Sequence, residues 1–254
     1  MRTLIFLAAA FAAALVQAAD PSVKPGASAW VPFELRPASR DFDWWSSRHA
    51  DALAKIKSAG GKFDVVLLGD SIMHWWDHQP YAQPTWNEFT NSYSVLNLGY
   101  GGDRTQNVLW RLDHGELDGV DAKVLVLMIG TNNNTSSNTV PANVAAGIGA
   151  ILDKVRLKMP ETKVLLLPIF PRGFGPDDVR HAAARGRNEE TNRLIRKFAD
   201  GKRVFWLDFN DKLVDPRTNW PTKELFPDRI HPGALGCRIW LDAMKPFLRQ
   251  HCGH

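Results

Sequence analysis

The chain has 254 residues, of which 44% are hydrophobic and 23% are charged, and these proportions are ordinary for a globular protein. They exclude a disordered, collagen-like or multi-span membrane protein, and the length suits one or two domains. The 31 basic and 27 acidic residues give a formal net charge of +4. Because the basic residues are scattered rather than grouped in a block, we do not expect a nucleic-acid partner.

Residues 1–19 have the pattern of a secretory signal peptide. Arg2 supplies the positive start, an apolar run follows, and small residues favour cleavage near Ala18/Ala19. The apolar run is shorter than the roughly 20 residues that a membrane span needs, so an N-terminal anchor is the less favoured alternative. The sequence therefore predicts an exported protein, periplasmic or secreted, without stable insertion in a membrane.

The rest of the chain is predicted to form one domain. Residues 20–40 are rich in Pro, Ser and Gly and predict an extended leader over the surface of a domain that spans residues 41–254. Five short apolar runs are continuous rather than alternating, which is typical of strands buried on both faces. They are residues 64–68, 94–98, 123–129, 163–169 and 203–207.

Helical patterns accompany these strands along the chain. They cover residues 41–59, 104–115, 140–159, 187–199 and 233–249. Strands that alternate with helices form right-handed crossovers and a parallel sheet covered on both faces. The sequence therefore predicts an α/β fold, a three-layer α/β/α domain with a five-stranded parallel sheet.

Two cysteines, Cys237 and Cys252, lie near opposite ends of the last predicted helix. At about 1.5 Å per residue they are roughly 22 Å apart, whereas a disulfide needs Cα atoms within about 7 Å. Both are expected to be free thiols unless the helix breaks at Pro246 and the tail folds back.

Polar and glycine-rich clusters follow four of the predicted strands, and a fifth cluster precedes the last helix. Ligands of open parallel sheets bind at the carboxyl ends of the strands, so the shared location carries more weight than any single cluster. Ser71 follows a buried strand at the start of a helix, where its Oγ is exposed at the edge of the sheet. Taken alone, the triplet is better explained by a serine that only caps the helix. The clusters are residues 69–71, 99–103, 130–133, 171–173 and 228–231.

A nucleophilic serine needs a base, and the base needs an orienting group. His231 is the predicted base, because Asp228 three residues earlier can fold back onto its Nδ1. His74 follows Ser71 by one helical turn and is the competing base. It has no evident carboxylate to orient it, so we assign it to the lining of the pocket.

A serine esterase also needs donors for the developing oxyanion. We assign these to the backbone N–H groups of Ser71 and Gly102 and to the side-chain amide of Asn132. The predicted lining of the substrate pocket comprises Ile72, His74, Trp75, Asp103, Asn133 and Arg172. No cluster has the spacing of metal ligands and no complete dinucleotide fingerprint is present, so the sequence predicts neither metal nor cofactor.

These clusters resemble the four conserved blocks of the SGNH, or GDSL, hydrolases in order and in spacing. The resemblance extends over nearly the whole chain after the signal peptide and is greatest to the branch of the intracellular platelet-activating-factor acetylhydrolase subunits and their bacterial relatives. It implies a flavodoxin-like fold and metal-free hydrolysis of short acyl esters. It also implies that Ser71, His231 and Asp228 act together and that Ser71, Gly102 and Asn132 form the oxyanion hole. The residues that carry it include 97–105, 108–112, 115–117, 130–133 and 171–173.

The motifs and the resemblance are compatible with two functions. The first is an exported esterase that removes acetyl-type groups from a small molecule, a glycan or a small lipid. The ten tryptophans would suit stacking on sugars, although core packing explains several of them equally well. The alternative is a non-catalytic module on the same scaffold that binds carbohydrate or a partner, which the loss of any one block would favour.

Overall fold

The computed structural model describes residues 31–253. A parallel sheet of five strands lies at its centre, in the order β2-β1-β3-β4-β5. The strands are β1 (Lys62–Gly69), β2 (Val95–Gly99), β3 (Asp121–Met128), β4 (Lys163–Leu166) and β5 (Val204–Trp206). This architecture confirms the predicted three-layer α/β/α fold.

Seven α-helices cover the sheet within the described residues. They are α1 (Asp43–Ser58), α2 (Ser71–His78), α3 (Gln83–Ser92), α4 (Thr105–Asp113), α5 (Pro141–Lys158), α6 (Val179–Ile195) and α7 (Ala234–Cys252). Short 3-10 helices occupy Phe33–Leu35, Pro80–Ala82, Asn133–Thr135, Arg196–Phe198 and Asn210–Leu213.

Each face of the sheet has its own apolar core. Along β1, Val66 and Leu68 point to one face, where they pack with helices α1, α4, α5 and α6. Val65 and Leu67 point to the other face, where they pack with α2, α3 and α7. Because side chains alternate across a strand, a strand enclosed by two layers of helices is apolar at every position, as the continuous runs predict.

The strand register brings the polar clusters to one edge of the sheet. Gly69, at the end of β1, pairs with Gly99 of β2 and with Met128 of β3. Three strands therefore end level, and the segments that follow them start side by side. A Cβ atom on Gly99 would lie 2.3 Å from the backbone nitrogen of His74, so glycine is needed for α2 to pack against the end of β2.

Two helices differ from their predictions. Helix α6 begins at Val179 rather than at residue 187. Its first two turns contain alanines, polar residues and Gly186 rather than large apolar side chains, and Val179 itself is exposed. Helix α3 was not predicted. It buries only Thr85 and Phe89, too few apolar contacts to produce a helical period in the sequence.

The described N-terminal segment packs against the start of α4. Residues 1–30, which include the predicted signal peptide, lie outside the described residues. The part of the predicted leader that is described belongs to the same compact unit as the rest of the domain, which starts at Pro32. The Glu34 carbonyl accepts a hydrogen bond from Thr105 Oγ1, and the Ala38 backbone exchanges hydrogen bonds with Gln106 and Asn107. The segment satisfies its backbone polar groups by pairing with the start of α4, which its lack of periodicity did not reveal.

Helix α7 continues through Pro246 without a break. Cys237 and Cys252 are both buried and free, which confirms that a single straight helix keeps them apart. Burial raises the pKa of the Cys237 thiol to about 12. No helix among residues 31–253 is long and apolar enough to span a membrane.

Candidate active site

A continuous chain of hydrogen bonds joins Ser71, His231 and Asp228. The Oγ atom of Ser71, the first residue of α2, lies 2.8 Å from Nε2 of His231. Nδ1 of the same imidazole lies 2.6 Å from Oδ2 of Asp228. Residues 160 positions apart in the chain thus meet with the spacing that proton transfer from a hydroxyl to an imidazole requires.

Asp228 is held in place by its own loop. Its Oδ1 atom accepts hydrogen bonds from the backbone N–H groups of Ile230 and His231. Burial by itself raises the pKa of the Asp228 carboxyl, but the side-chain and backbone hydrogen bonds of His231 outweigh it and lower the pKa to about 2. Asp228 is therefore ionised across the neutral range and can stabilise a protonated His231.

Trp75 lies flat against the imidazole of His231. The ring centroids are 3.6 Å apart and the planes differ by 20°. The sequence predicted that Trp75 lines the substrate pocket, and the structure places it in contact with the base. The signal was present in the spacing, because residues 71 and 75 lie one turn apart on the same face of a helix.

The loop after β2, residues 100–103, approaches the start of α2 and is termed here the oxyanion loop, because it contains Gly102, which was predicted to donate to the oxyanion. Gly102 has a positive φ of 73°, and a Cβ atom at this position would lie 2.7 Å from Nη1 of Arg40. Both the backbone conformation and the close guanidinium therefore favour glycine. Arg40 donates a hydrogen bond to the Gly101 carbonyl from the segment that precedes α1.

A buried ion network lies beneath the oxyanion loop. Arg111 of α4 donates to Asp103 at 3.0 Å and also to Glu116, and all three side chains are fully buried. Glu116 accepts a further hydrogen bond from the Tyr100 hydroxyl, and Asp103 accepts one from Trp45 Nε1. Burial opposes the charge of Glu116, but the Arg111 guanidinium keeps the pKa of that carboxyl below its ordinary value.

This network was missed at the sequence level. Asp103 was expected to line the pocket, whereas the structure gives it 0% exposure. Arg111 and Glu116 were noted only as part of a resemblance. Buried charges require partners, but sequence spacing does not show which residues the fold will bury together.

Asn132 links the cluster after β3 to the oxyanion loop. Its Nδ2 donates to the Asp103 carbonyl at 2.9 Å. A side-chain amide carries two N–H groups, and this hydrogen bond uses one of them, which fixes the orientation of the side chain. The neighbouring Asn133 was expected in the pocket, but it is 4% exposed and bonds to Thr105 instead.

The other predicted pocket residues are also directed inward. Ile72 is 4% exposed and belongs to the apolar core under α2. Arg172 is 3% exposed and donates to the carbonyl and hydroxyl of Thr131, next to Asn132. Burial lowers the pKa of Arg172 to about 10. Ile72 therefore packs in the core, and Arg172 holds the segment that follows β3.

His74 faces the oxyanion loop and not Ser71. Its Nδ1 accepts a hydrogen bond from the Gly101 N–H at 3.1 Å. Burial, together with the charges of Arg48 and His78, lowers the pKa of His74 to about 4. A neutral imidazole that accepts this hydrogen bond helps to hold the loop, so the structure does not support His74 as a competing base.

The cluster after β4 contacts the loop that carries His231. The Gly173 N–H donates to the Arg229 carbonyl at 3.0 Å, and Arg229 pairs with Asp178 at 3.1 Å. All five predicted clusters therefore lie around one end of the sheet.

No group of His, Cys, Asp and Glu suited to hold a metal ion is found in the described part of the chain.

Residues 67–239 match the GDSL-like lipase/acylhydrolase family. The chain is 33% identical over 214 residues to platelet-activating factor acetylhydrolase IB subunit alpha1 of Homo sapiens, and the match covers 82% of this chain and 86% of that relative. The chain therefore belongs to the GDSL-like lipase/acylhydrolase family and is a hydrolase of that family.

Solved structures share the fold at lower identity. A GDSL-like lipase from Bacteroides thetaiotaomicron has a TM-score of 0.64 at 17% identity, with 82% of this chain and 96% of that chain covered. A catalytic mutant of an acetylxylan esterase from Geobacillus stearothermophilus has a TM-score of 0.56 at 17% identity, with 74% and 94% covered. These similarities confirm the fold class.

Proposed function

We propose that this protein is a serine esterase that hydrolyses short-chain, acetyl-type esters. Ser71 is the nucleophile, His231 the general base and Asp228 the group that orients the base. The observation that carries this proposal is the pair of short hydrogen bonds, 2.8 Å from Ser71 to His231 and 2.6 Å from His231 to Asp228. A binding module would not need to align a hydroxyl, an imidazole and a carboxylate in this order.

The reaction proceeds in two halves. His231 Nε2 takes the Ser71 proton while Oγ attacks the ester carbonyl, and the tetrahedral oxyanion then expels the alcohol, which receives that proton. Water attacks the acyl-enzyme in the same way, so His231 first accepts a proton from water and then returns it to Ser71 as the acid leaves. The N–H groups of Ser71 and Gly102 and the free N–H of Asn132 stabilise the oxyanion in both halves.

The substrate is proposed to carry a small acyl group on a carbohydrate or a small lipid alcohol. Support comes from the names of two similar proteins, an acetylhydrolase and an acetylxylan esterase. Trp75 lies against His231, one helical turn from Ser71, and we propose that its indole limits the width beside the nucleophile. Acetyl and propionyl esters are expected to be good substrates, and chains beyond about six carbons poor ones.

The decisive experiment compares nitrophenyl esters of increasing chain length on the wild type and on Ser71→Ala. Activity that is highest on acetate and absent from Ser71→Ala supports the proposal. Activity that survives in Ser71→Ala contradicts the mechanism, and a preference for decanoate would make the protein a long-chain lipase. Acetylated xylo-oligosaccharides and acetylated lipids, compared at equal concentration, then separate the two substrate classes.

We also propose that the protein is exported, and this proposal rests only on the signal-peptide pattern of residues 1–19. Mass spectrometry of the protein purified from its native host tests this proposal. A mature N-terminus near residue 19 or 20 supports cleavage of a signal peptide. An intact N-terminus on protein from the cell interior contradicts it.

A further inference from the structure

The indole of Trp75 lies against the imidazole that the proposed mechanism uses as a base. Trp75 is one turn beyond Ser71 on α2, and helical side chains lean toward the N-terminus, which places the indole beside the nucleophile. The centroid separation of 3.6 Å and the 20° between the planes make this a face-to-face stack. The base therefore has a contact on its face as well as hydrogen bonds on its edge.

The two hydrogen bonds alone do not fully determine the orientation of the imidazole plane of His231. The bonds from Nδ1 to Asp228 and from Nε2 to Ser71 fix the two nitrogens, but the ring plane can still rotate by a limited angle about the line between them as χ1 and χ2 of His231 adjust. A flat aromatic surface against one face removes this rotation. Trp75 thus determines the plane in which Nε2 presents its lone pair to Ser71.

The same contact acts on the charge that develops during the reaction. When the Ser71 O–H bond breaks and an N–H bond forms on Nε2, His231 becomes an imidazolium. The face of an indole attracts a cation, and the cation exists only after the proton has moved. The stack therefore stabilises the transition state more than the ground state.

We propose that Trp75 is a positioning residue for His231, which fixes the plane of the imidazole and stabilises its protonated form. This inference rests on the proposed function, because it assumes that His231 is the base. It assigns Trp75 a role in the chemical step, which is distinct from a role in limiting the length of the acyl chain.

Few other charged groups face this imidazole. Asp228 contacts its Nδ1, and Arg229 in the same loop is paired with Asp178. Tyr81 from the 3-10 helix lies near Asp228, and Cys237 from α7 contacts the Pro232 carbonyl in the same loop as the base. Burial raises the pKa of each to about 12, so both are neutral. The imidazolium is therefore stabilised by Asp228 at its edge and by Trp75 at its face.

The test uses Trp75→Leu and Trp75→Phe, with Trp110→Leu as a matched control. Trp110 stacks on His114 with the same centroid separation of 3.6 Å and an angle of 12°, but it lies on α4 and does not contact the base. Trp75→Leu is expected to lower kcat on nitrophenyl acetate about 3- to 30-fold with little change in KM. Trp75→Phe should lie between Trp75→Leu and the wild type, and Trp110→Leu should match the wild type.

The pH profile separates stabilisation of charge from simple packing. If the indole stabilises the imidazolium, its removal makes His231 easier to deprotonate. The acid limb of kcat/KM then moves to lower pH in Trp75→Leu and by a smaller amount in Trp75→Phe. An acid limb that stays in place in both variants overturns the proposal, as does an unchanged kcat.

A fluorescence titration tests the stack without relying on turnover. The emission of the wild type minus that of Trp75→Phe should fall as His231 becomes protonated, and this pH dependence should be absent in His231→Gln. A difference emission that does not vary with pH overturns the proposal. If the wild type hydrolyses no ester, the proposed function fails, whereas this titration still decides whether Trp75 senses the charge of His231.

Discussion

The two loops that meet at Ser71 are built in opposite ways. The oxyanion loop, residues 100–103, rests on a fully buried ion network and is held from outside by Arg40, His74 and Asn132. The loop that carries the base, residues 227–232, is held mainly by hydrogen bonds within itself, and the Asp228 side chain is 41% exposed. The first loop is fixed by side chains from distant segments, whereas the second combines its own hydrogen bonds with the contacts that Gly173 and Asp178 make to Arg229.

This difference fits what each loop does in the proposed mechanism. Oxyanion donors are effective only if they are already in place when charge develops, because reorganisation would add to the barrier. The base must pass protons to an alcohol and take them from water, so it has to border solvent. Four predictions test this contrast, from the largest expected effect to the smallest.

Removal of the base or the nucleophile should have the largest effect. Ser71→Ala and His231→Ala are each expected to lower kcat by roughly 10⁴- to 10⁶-fold, because the two residues act as a unit. The double variant should be no worse than the poorer single variant, since the second loss removes nothing further. Steady-state kinetics on nitrophenyl acetate measures all three, and a double variant that is far worse than either would refute the pairing.

Loss of the ion network should have the next largest effect, on stability. Arg111→Met leaves Asp103 and Glu116 buried without their cation, and breaking a buried pair in this way costs about 3–5 kcal/mol in the free energy of unfolding. Urea denaturation measures the loss. The control is Arg193→Met, which breaks an exposed pair with Glu190 and should cost less than about 1 kcal/mol. Similar losses in both variants would contradict the assigned importance of the buried network for stability.

Loss of one oxyanion donor should affect the chemical step. Asn132→Ala is expected to lower kcat by about 10²- to 10³-fold with little change in KM, because the donor acts on charge that exists only in the transition state. The variant also loses the hydrogen bond to the Asp103 carbonyl, so its free energy of unfolding should fall by about 1 kcal/mol. A higher KM at unchanged kcat would instead make Asn132 a contact for the bound substrate.

The carboxylate of the base loop should give the smallest effect, and one that depends on pH. The pKa of Asp228 is lowered to about 2 in the folded protein, below the roughly 3.9 of an unfolded aspartate. Its contribution to stability is therefore present above about pH 4 and is lost as the pH falls through 2.

Asp228→Asn tests this contribution. Because the side chain is partly exposed, the variant should lose at most about 1 kcal/mol at pH 7, and the difference from the wild type should shrink between pH 4 and pH 2. Urea denaturation at several pH values measures both proteins. A difference that grows toward low pH would contradict the assigned direction of the pKa shift.

The sequence by itself was sufficient for the fold class and for the residues of the proposed triad. Continuous apolar runs between helical patterns specify buried parallel strands because these periods follow directly from backbone geometry. Asp228 and His231 were identifiable because they lie in one short loop, and Ser71 because it follows a buried strand. These features are local, so a reader of the sequence needs no knowledge of distant contacts.

Only the tertiary structure decided which polar residues face the substrate and which support the site. Asp103, Asn133 and Arg172 were expected in the pocket, yet each is almost fully buried and bonds to a neighbouring segment. Arg40 and Arg111 hold the oxyanion loop. Arg40 reaches it from the segment before α1, which is distant in the sequence, and Arg111 reaches it from helix α4. A polar side chain that follows a strand can point toward solvent or into the protein, and its position in the sequence is the same in both cases. The choice depends on which partners the folded chain supplies to satisfy its charge and its hydrogen bonds.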